Sequence, residues 1–592
     1  MSPTPPNDPM MDSPLFKEAP RMPISPFDLI AQGKVVHVDA IGVGASETID
    51  LLALINNYVH DCKTHPGQPI PLHIDMFDGS GQWGIGGDHV YDSTNVLFTL
   101  NQPAALMGLD YPNQFVDWLK AWHLNKDPVK VEKAKKKIAK YKTQGLSNER
   151  IAYLDSENYL MAKEFGPYDY VPRAIYGQFL KGMLHQRLKE AGLTVNSTYG
   201  LADGNDADEK HKIFSYKMNT IVVDDIARTK DGKLKVKGAE HAADVLIDAT
   251  GHLNGTLLGK FNGIPGYAST PFTIETIAEA VKAHPEGPVI IPGTGQASLD
   301  VVAGLAGVGY TGKIIAISGD LIEPWPRDVL KFKEGENPYE LHIFTPQNVA
   351  SIVKKFAGDF QNPELIDSLS KLIQEEMHCS NAIEKSPVYV IKKFFEMHDE
   401  FLAVMNECPH VCGACKEIFE KHAGNPTSPE RFALYQSMRQ SGQLELVRGR
   451  VQDSQSRLTE TGFEISVEHR GQTVALAAGV VLNSANMVRT PWDRSGQIIN
   501  PALRRLEEIG AIRRNDQGGL EPVVDDGSVT LIGPAKGNTP WGIPYTREAI
   551  QEEGDREFSV VRRKGRNFYR SPPAKRARTK PTADTGAGQF RP

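Results

Sequence analysis

Cysteine is scarce in this chain, with five in 592 residues. That is too few for the disulfide framework of a small secreted domain, so reduced thiols are expected. Long hydrophobic runs are missing as well: a stretch such as VVAGLAGVGYTGKIIAIS is broken by glycines and a lysine before it could span a bilayer. Nor is there an excess of positive charge. Lys and Arg number 66 against 73 Asp and Glu, a formal charge of -7, which argues against a generic polyanion binder and makes nucleic acid an unexpected partner. The N-terminus, MSPTPPNDPMMDSPLFKEAPRMPISP, lacks the basic segment and apolar segment of a secretory signal. It reads as a disordered proline-rich arm over residues 1–32, and the expected setting is cytoplasmic, with no membrane contact.

What the chain does have is hydrophobic content of 40%, enough over this length to bury more than one core. Residues 37–49, HVDAIGVGASETI, read as a strand, a glycine-rich turn and a helix start. Gly42 and Gly44 take the first two places of G-x-G-x-x-G, the turn that brings backbone amides and a helix N-terminus to a dinucleotide pyrophosphate. Glu47 occupies the third place. The third glycine mainly permits close packing of helix on strand, so the loop still works if that carboxylate points away from the phosphates. The next strand, in PLHIDMFDGSG, ends in Asp78, positioned as an acceptor for an adenosine ribose.

The pattern recurs in GPVIIPGTGQASLDVVAGLAGVGYTGKIIAIS, residues 287–318, where Gly293 and Gly295 are followed by the small Ser298. One such loop is weak evidence. Two, each between a buried-type strand and a helix, predict an α/β protein with two dinucleotide-binding (Rossmann-like) domains, a helical insertion and disordered termini. The expected division is a first part of one dinucleotide-binding domain over 33–285, a second dinucleotide-binding domain over 286–340, a helical insertion over 341–440, a return to the first domain over 441–558, and a basic disordered tail over 559–592. The tail RRKGRNFYRSPPAKRARTKP leaves nuclear import open. The lysine-rich NKDPVKVEKAKKKIAKYK reads as a solvated face.

Within the insertion, MNECPHVCGACKEIFEKH sets Cys408, Cys412 and Cys415 close together, with Cys379 available from upstream. Three readings stay open: zinc or an iron-sulfur cluster, a redox thiol pair, or incidental cysteines.

Taken in order, IGVGASET, MFDGSGQWGIGGDHVY, LNQPAALMGLDYPNQFVDWL, VPRAIYGQFLKGML, DVLIDATGHLNG, PGTGQASLDVVAGLAGVGYTGKIIAIS, SGQLELVRGR and GPAKGNTPWGIPYTREA resemble the FAD/NAD(P)-binding flavoprotein family. That family is related to class B flavin monooxygenases and to lysine and ornithine N-hydroxylases, and it includes nitrosuccinate-forming aspartate N-oxygenases. The resemblance implies FAD against Gly42, Gly44 and Asp78, with Asn101, Gln102 and Arg173 near the flavin. It implies a domain-crossing linker at DATGH, with Thr250, Gly251 and His252, the nicotinamide dinucleotide at Gly293, Gly295 and Ser298, and a closing FAD contact at Gly533 and Pro534. Asn101, Gln102, Arg173 and His252 are the candidates for a catalytic part. Read by their residue types alone, the same side chains could be turn formers, an ion-pair partner and a structural histidine.

The implied activity is NAD(P)H-dependent, O2-consuming oxidation of the nitrogen of a small amino acid or amine through a C4a-hydroperoxyflavin, with L-aspartate to nitrosuccinate as the named example. An NAD(P)H-flavin reductase using a thiol pair, and a hydroxylase of a different small molecule, are the alternatives. The chain departs from the family at Glu47, in the insertion, and at Gly319 and Asp320, where an arginine for a 2′-phosphate is frequent. The last departure favours NADH over NADPH.

Overall fold

The computed structural model describes residues 25–81, 96–111, 113–198, 212–250, 253–254, 257–271, 273–285, 287–319, 325–326, 342–356, 363–378, 426–485, 487–488, 491–493, 496–515, 519–524, 526–532 and 547–570. In the first half, β1 (Val36–Ile41) runs into α1 (Ala45–Thr64) and on to β2 (Leu72–Phe77). The long helix α2 (Arg173–Thr198) then precedes β3 (Phe214–Asn219) and β4 (Val245–Asp248). β1, β2 and β4 are apolar and almost wholly buried, as expected for parallel strands covered on both faces.

A second unit begins with β5 (Tyr267–Ala268) and β6 (Val289–Pro292), followed by α3 (Gln296–Val308) and β7 (Ile314–Ser318). The chain resumes that unit with α4 (Pro429–Gln440), β8 (Leu444–Arg448) and β9 (Val480–Leu482). It returns to the first unit with β10 (Val529–Leu531) and ends in the helix α5 (Arg547–Arg570).

The two sheets are separate and parallel, in the orders β10-β4-β1-β2-β3 and β8-β7-β6-β9-β5. One face of the first is buried under α1, α2 and α5 through Leu51, Leu54, Ile55, Leu184, Leu188, Val560 and Val561. Its other face, through Ile41, Phe77, Leu246 and Leu531, belongs to one cluster with Leu503 and Leu506 of the helix Pro501–Glu508. The second sheet lies between α3 with the helix Ile274–Ala283 on one side and the antiparallel pair Gly462–His469 and Gln472–Ala478 on the other. Parallel strands end together. Ile41, Phe77, Asp248 and Leu531 therefore share one edge, and Pro292, Ser318, Arg448 and Leu482 share the other sheet's edge, where open α/β sheets bind ligands.

Three expected boundaries move. Residues 441–482 do not return to the first domain, because β8 and β9 flank β7 and β6, and β5 at 267–268 joins the same sheet; the second unit is thus wider than 286–340. Strand periodicity shows that a segment is buried and says nothing about which sheet receives it. The basic tail expected from 559 starts inside α5, which runs to Arg570 with Val560 and Val561 buried against the first sheet. At the other terminus, Pro26–Ala31 of the expected arm is a short helix with Leu29 fully buried. The lysine-rich segment is a solvated helix, Pro128–Thr143, in which Ala134 alone is buried. Helices Pro346–Lys355 and Pro363–His378 occupy part of the expected insertion. Among the described residues no helix is long and apolar enough to cross a membrane.

Candidate functional site

The first glycine loop turns where β1 ends. Gly42 has φ +81°, and its N–H donates to the Phe77 carbonyl at 2.8 Å, tying the turn to β2. A Cβ at Gly42 would lie 2.7 Å from Thr250 Cα and 2.8 Å from the Ala249 carbonyl oxygen, so only glycine lets the linker after β4 cross here. Gly44 is the extended N-cap of α1 and provides no side chain, while its carbonyl accepts from Thr48 N at 3.0 Å and Thr48 Oγ1 at 2.8 Å. The amides before Thr48 open the helix and have no intrahelical acceptor, which makes this an anion-binding end.

Glu47 is fully buried behind that loop. Its carboxyl is held well above the usual range by burial, then by Glu557 of α5 and Asp248 of β4. Asp248 is itself pushed up to about 6 by burial, against the opposing pull of hydrogen bonds from Thr250 Oγ1 at 2.8 Å and Thr250 N at 3.1 Å. Burial and the two neighbouring acids thus all favour the protonated form of Glu47, which lies between α1, α5 and β4. Asp78 follows β2 and is 5% exposed, with Oδ1 accepting from Ser80 N at 2.9 Å.

The second loop repeats the design with different parts. Gly293 has φ +102° and donates to the Ile317 carbonyl at 2.7 Å; a Cβ there would stand 3.1 Å from Ser484 Oγ. Gly295 caps α3 in extended conformation, and a Cβ on it would meet nothing within 4 Å, leaving an open approach at the helix start. Ser298 is buried and its Oγ donates to the Gly295 carbonyl at 2.6 Å.

Sequence reasoning missed four residues here. Asp300 of α3 is 2% exposed and accepts from Arg173 Nη1 at 2.8 Å and from Arg431 of α4. Arg173, expected near the flavin, thus spends its guanidinium on the second unit. Its own N–H donates to the Phe98 carbonyl at 2.7 Å, and Arg431 Nη2 donates to the Leu97 carbonyl at 2.9 Å. The triad pins the strand-like segment 97–99, which leads into Asn101, exposed, and Gln102, half-buried, in a bend before a single helical turn. The other two are arginines at and just past the end of the neighbouring strand β8. Beside Gly319, which follows β7, Arg448 Nε donates to the Gly319 carbonyl at 3.3 Å, and the Arg450 side chain comes within 3.4 Å of a Cβ placed on Gly319. The cation absent from the chain just after β7 is supplied from the end of β8 and just beyond it, which no local motif could reveal.

Gly251, His252, Gly533, Pro534, Asp320, Cys379, Cys408, Cys412 and Cys415 lie outside the described residues. Among the described residues no group of His, Cys, Asp and Glu has the arrangement of a metal site.

Residues 40–212 match the family model described as FAD-NAD(P)-binding. The match begins at the last two residues of β1 and takes in the first glycine loop, α1, β2, Asp78 and α2. The chain is also similar in course to reduced ornithine hydroxylase (PvdA) from Pseudomonas aeruginosa, at 11% identity over 90% of this chain and 99% of that one, TM-score 0.42. L-lysine 6-monooxygenase from Pseudomonas syringae matches at 11% identity over 89% and 99%, TM-score 0.43. Bacillithiol disulfide reductase Bdr (YpdA) from Staphylococcus aureus matches at 10% over 89% and 98%, TM-score 0.41. No curated protein matches the sequence.

Proposed function

We propose that the protein is a flavin-dependent monooxygenase that uses NADPH and O2 to oxidise the nitrogen of a small amino acid or amine. The observation that carries this reading is the presence of two glycine loops at the carboxyl edges of two parallel sheets, joined through Asp300. One dinucleotide needs one such loop; a hydride donor and a flavin held in one chain need two.

The residues fit the cofactors. Gly42, Gly44 and the first turn of α1 would hold the FAD pyrophosphate, and Asp78 its ribose, with burial favouring the protonated form of Glu47 behind them. Gly293, Gly295 and the start of α3 would hold the nicotinamide dinucleotide. Arg448 and Arg450 at Gly319 suit a 2′-phosphate, so NADPH replaces NADH as the preferred donor. When bound, the pair supplies hydride transfer and oxygen activation. The chain's own contribution is to orient the two and to exclude water, and the pinned segment 97–102 is placed to form one wall of that enclosure. Gly251, His252, Gly533 and Pro534 complete the site in this reading, and oxidation of L-aspartate to nitrosuccinate is its most specific form.

The test is to add FAD and NADPH to purified protein and follow oxygen uptake across an amino-acid panel, with mass analysis of the product. A gain of oxygen on nitrogen supports the reading. NADPH oxidation coupled instead to disulfide reduction, and lost in Cys412→Ser, would replace it with the thiol reductase.

A further inference from the structure

The triad that joins the two halves carries one positive charge more than it neutralises. Asp300 answers both Arg173 and Arg431, and Arg431 is only 7% exposed. Arg431 commits Nη1 to Asp300 and Nη2 to the Leu97 carbonyl, yet its Nε is buried with no acceptor among the described residues. Two residues beyond that carbonyl, the Thr99 hydroxyl is likewise buried without a partner among the described residues. Native interiors rarely leave two neighbouring donors unanswered unless a ligand or ordered water meets them.

Both residues line the same cavity of about 90 Å³, room for roughly six waters. Tyr159, Glu149 and Glu430 line it too. The Tyr159 hydroxyl is pushed up to about 12, by burial first and then by Glu149 and Glu430, which puts the two carboxylates beside it. Lys163 and Asp169 line it as well, so the cavity presents cationic and hydroxyl donors together with carboxylates. A plain diamine would leave the arginine unanswered, and a bare inorganic anion would meet the glutamates. A molecule with a carboxylate and an amine satisfies both.

We infer that this cavity is the carboxylate-binding end of the substrate site, in which Arg431 Nε–H and the Thr99 hydroxyl hold the carboxylate of a short α-amino acid. The placement supports it: segment 97–99 runs directly to Asn101 and Gln102, and Asp300 lies two residues past Ser298 of the second loop. Calling the ligand the substrate rests on the monooxygenase reading; the carboxylate site itself does not.

The experiment titrates the FAD-supplemented full chain calorimetrically with L-alanine, which has a carboxylate and an amine, and with putrescine, which has amines and no carboxylate. Wild type should bind L-alanine and bind putrescine at least about tenfold more weakly. Thr99→Val removes one donor without changing shape and should weaken L-alanine by roughly tenfold. Ala303→Leu, on the cavity wall, should abolish binding with the melting temperature retained; should that variant fail to fold, Thr99→Val decides. Absence of L-alanine binding to wild type, or equal affinity in Thr99→Val, overturns the inference. L-alanine binding lost in the variants of a protein that oxygenates nothing would keep the site and discard the monooxygenase. Oxygenation of amino acids and diamines with unchanged KM in both variants would keep the enzyme and discard the site.

Discussion

The two glycine loops are built alike up to the backbone and differ in the acid each keeps behind its helix. In both, a glycine of positive φ donates to the neighbouring strand, a second glycine caps the helix, and a hydroxyl, Thr48 or Ser298, donates back to that cap's carbonyl. Behind α1 stands Glu47, crowded by Glu557 and Asp248; behind α3 stands Asp300, held by Arg173 and Arg431. A buried carboxyl survives either by keeping its proton or by finding cations. The first solution favours a protonated acid behind the first loop. The second ties α3 to the segment 97–99.

Breaking the second arrangement should cost most. Asp300→Asn leaves two buried guanidiniums without their anion, an expected loss of about 3–5 kcal/mol, read as a large drop in melting temperature. Next comes Gly42→Ala, which must place a Cβ against Thr250 at a φ of +81°. Strain of about 1–3 kcal/mol should lower FAD affinity by roughly tenfold or more, measured by flavin retained on gel filtration, while Gly295→Ala, with open space around it, leaves FAD affinity unchanged.

Glu47→Gln sharpens the comparison through pH. A carboxyl whose folded pKa is raised binds more protons folded than unfolded, so its stabilising share is complete below the ordinary value of 4.5 and is lost as pH rises towards the folded pKa. Wild type should lose about 1.4 kcal/mol per pH unit for each such proton, and Glu47→Gln should flatten that slope in melts between pH 5 and 8. A uniform loss of stability at every pH would mean that Glu47 is ionised and paired. The smallest effect is expected for Ser298→Ala, which removes one hydrogen bond worth about 1 kcal/mol and should raise the KM for NADPH a few-fold with FAD binding intact.

Much of this site was legible locally. Gly42, Gly44, Gly293, Gly295 and Ser298 announced their loops because a strand, a turn and a helix start within about ten residues carry the whole signal. Asp78 was legible for the same reason. Glu47 showed as an irregularity, but what raises its pKa is burial and then Glu557, more than five hundred residues away in α5, which the sequence presented as the edge of a basic tail. Arg431 and Asp300 meet across a separation of 131 residues, and Arg448 reaches Gly319 across 129. Such pairs have no period or spacing to betray them. The same limit explains why β8 and β9 were assigned to the wrong sheet: each is a short apolar strand that fits either.

The central claim, that Glu47 is compatible with a working flavin loop paired to an NADPH loop, is tested most directly by titrating the FAD-supplemented protein with NADPH without oxygen and then admitting air. The account predicts a yellow protein that NADPH bleaches and air restores, with NADH markedly less effective. A protein that stays colourless and takes up no FAD would contradict it.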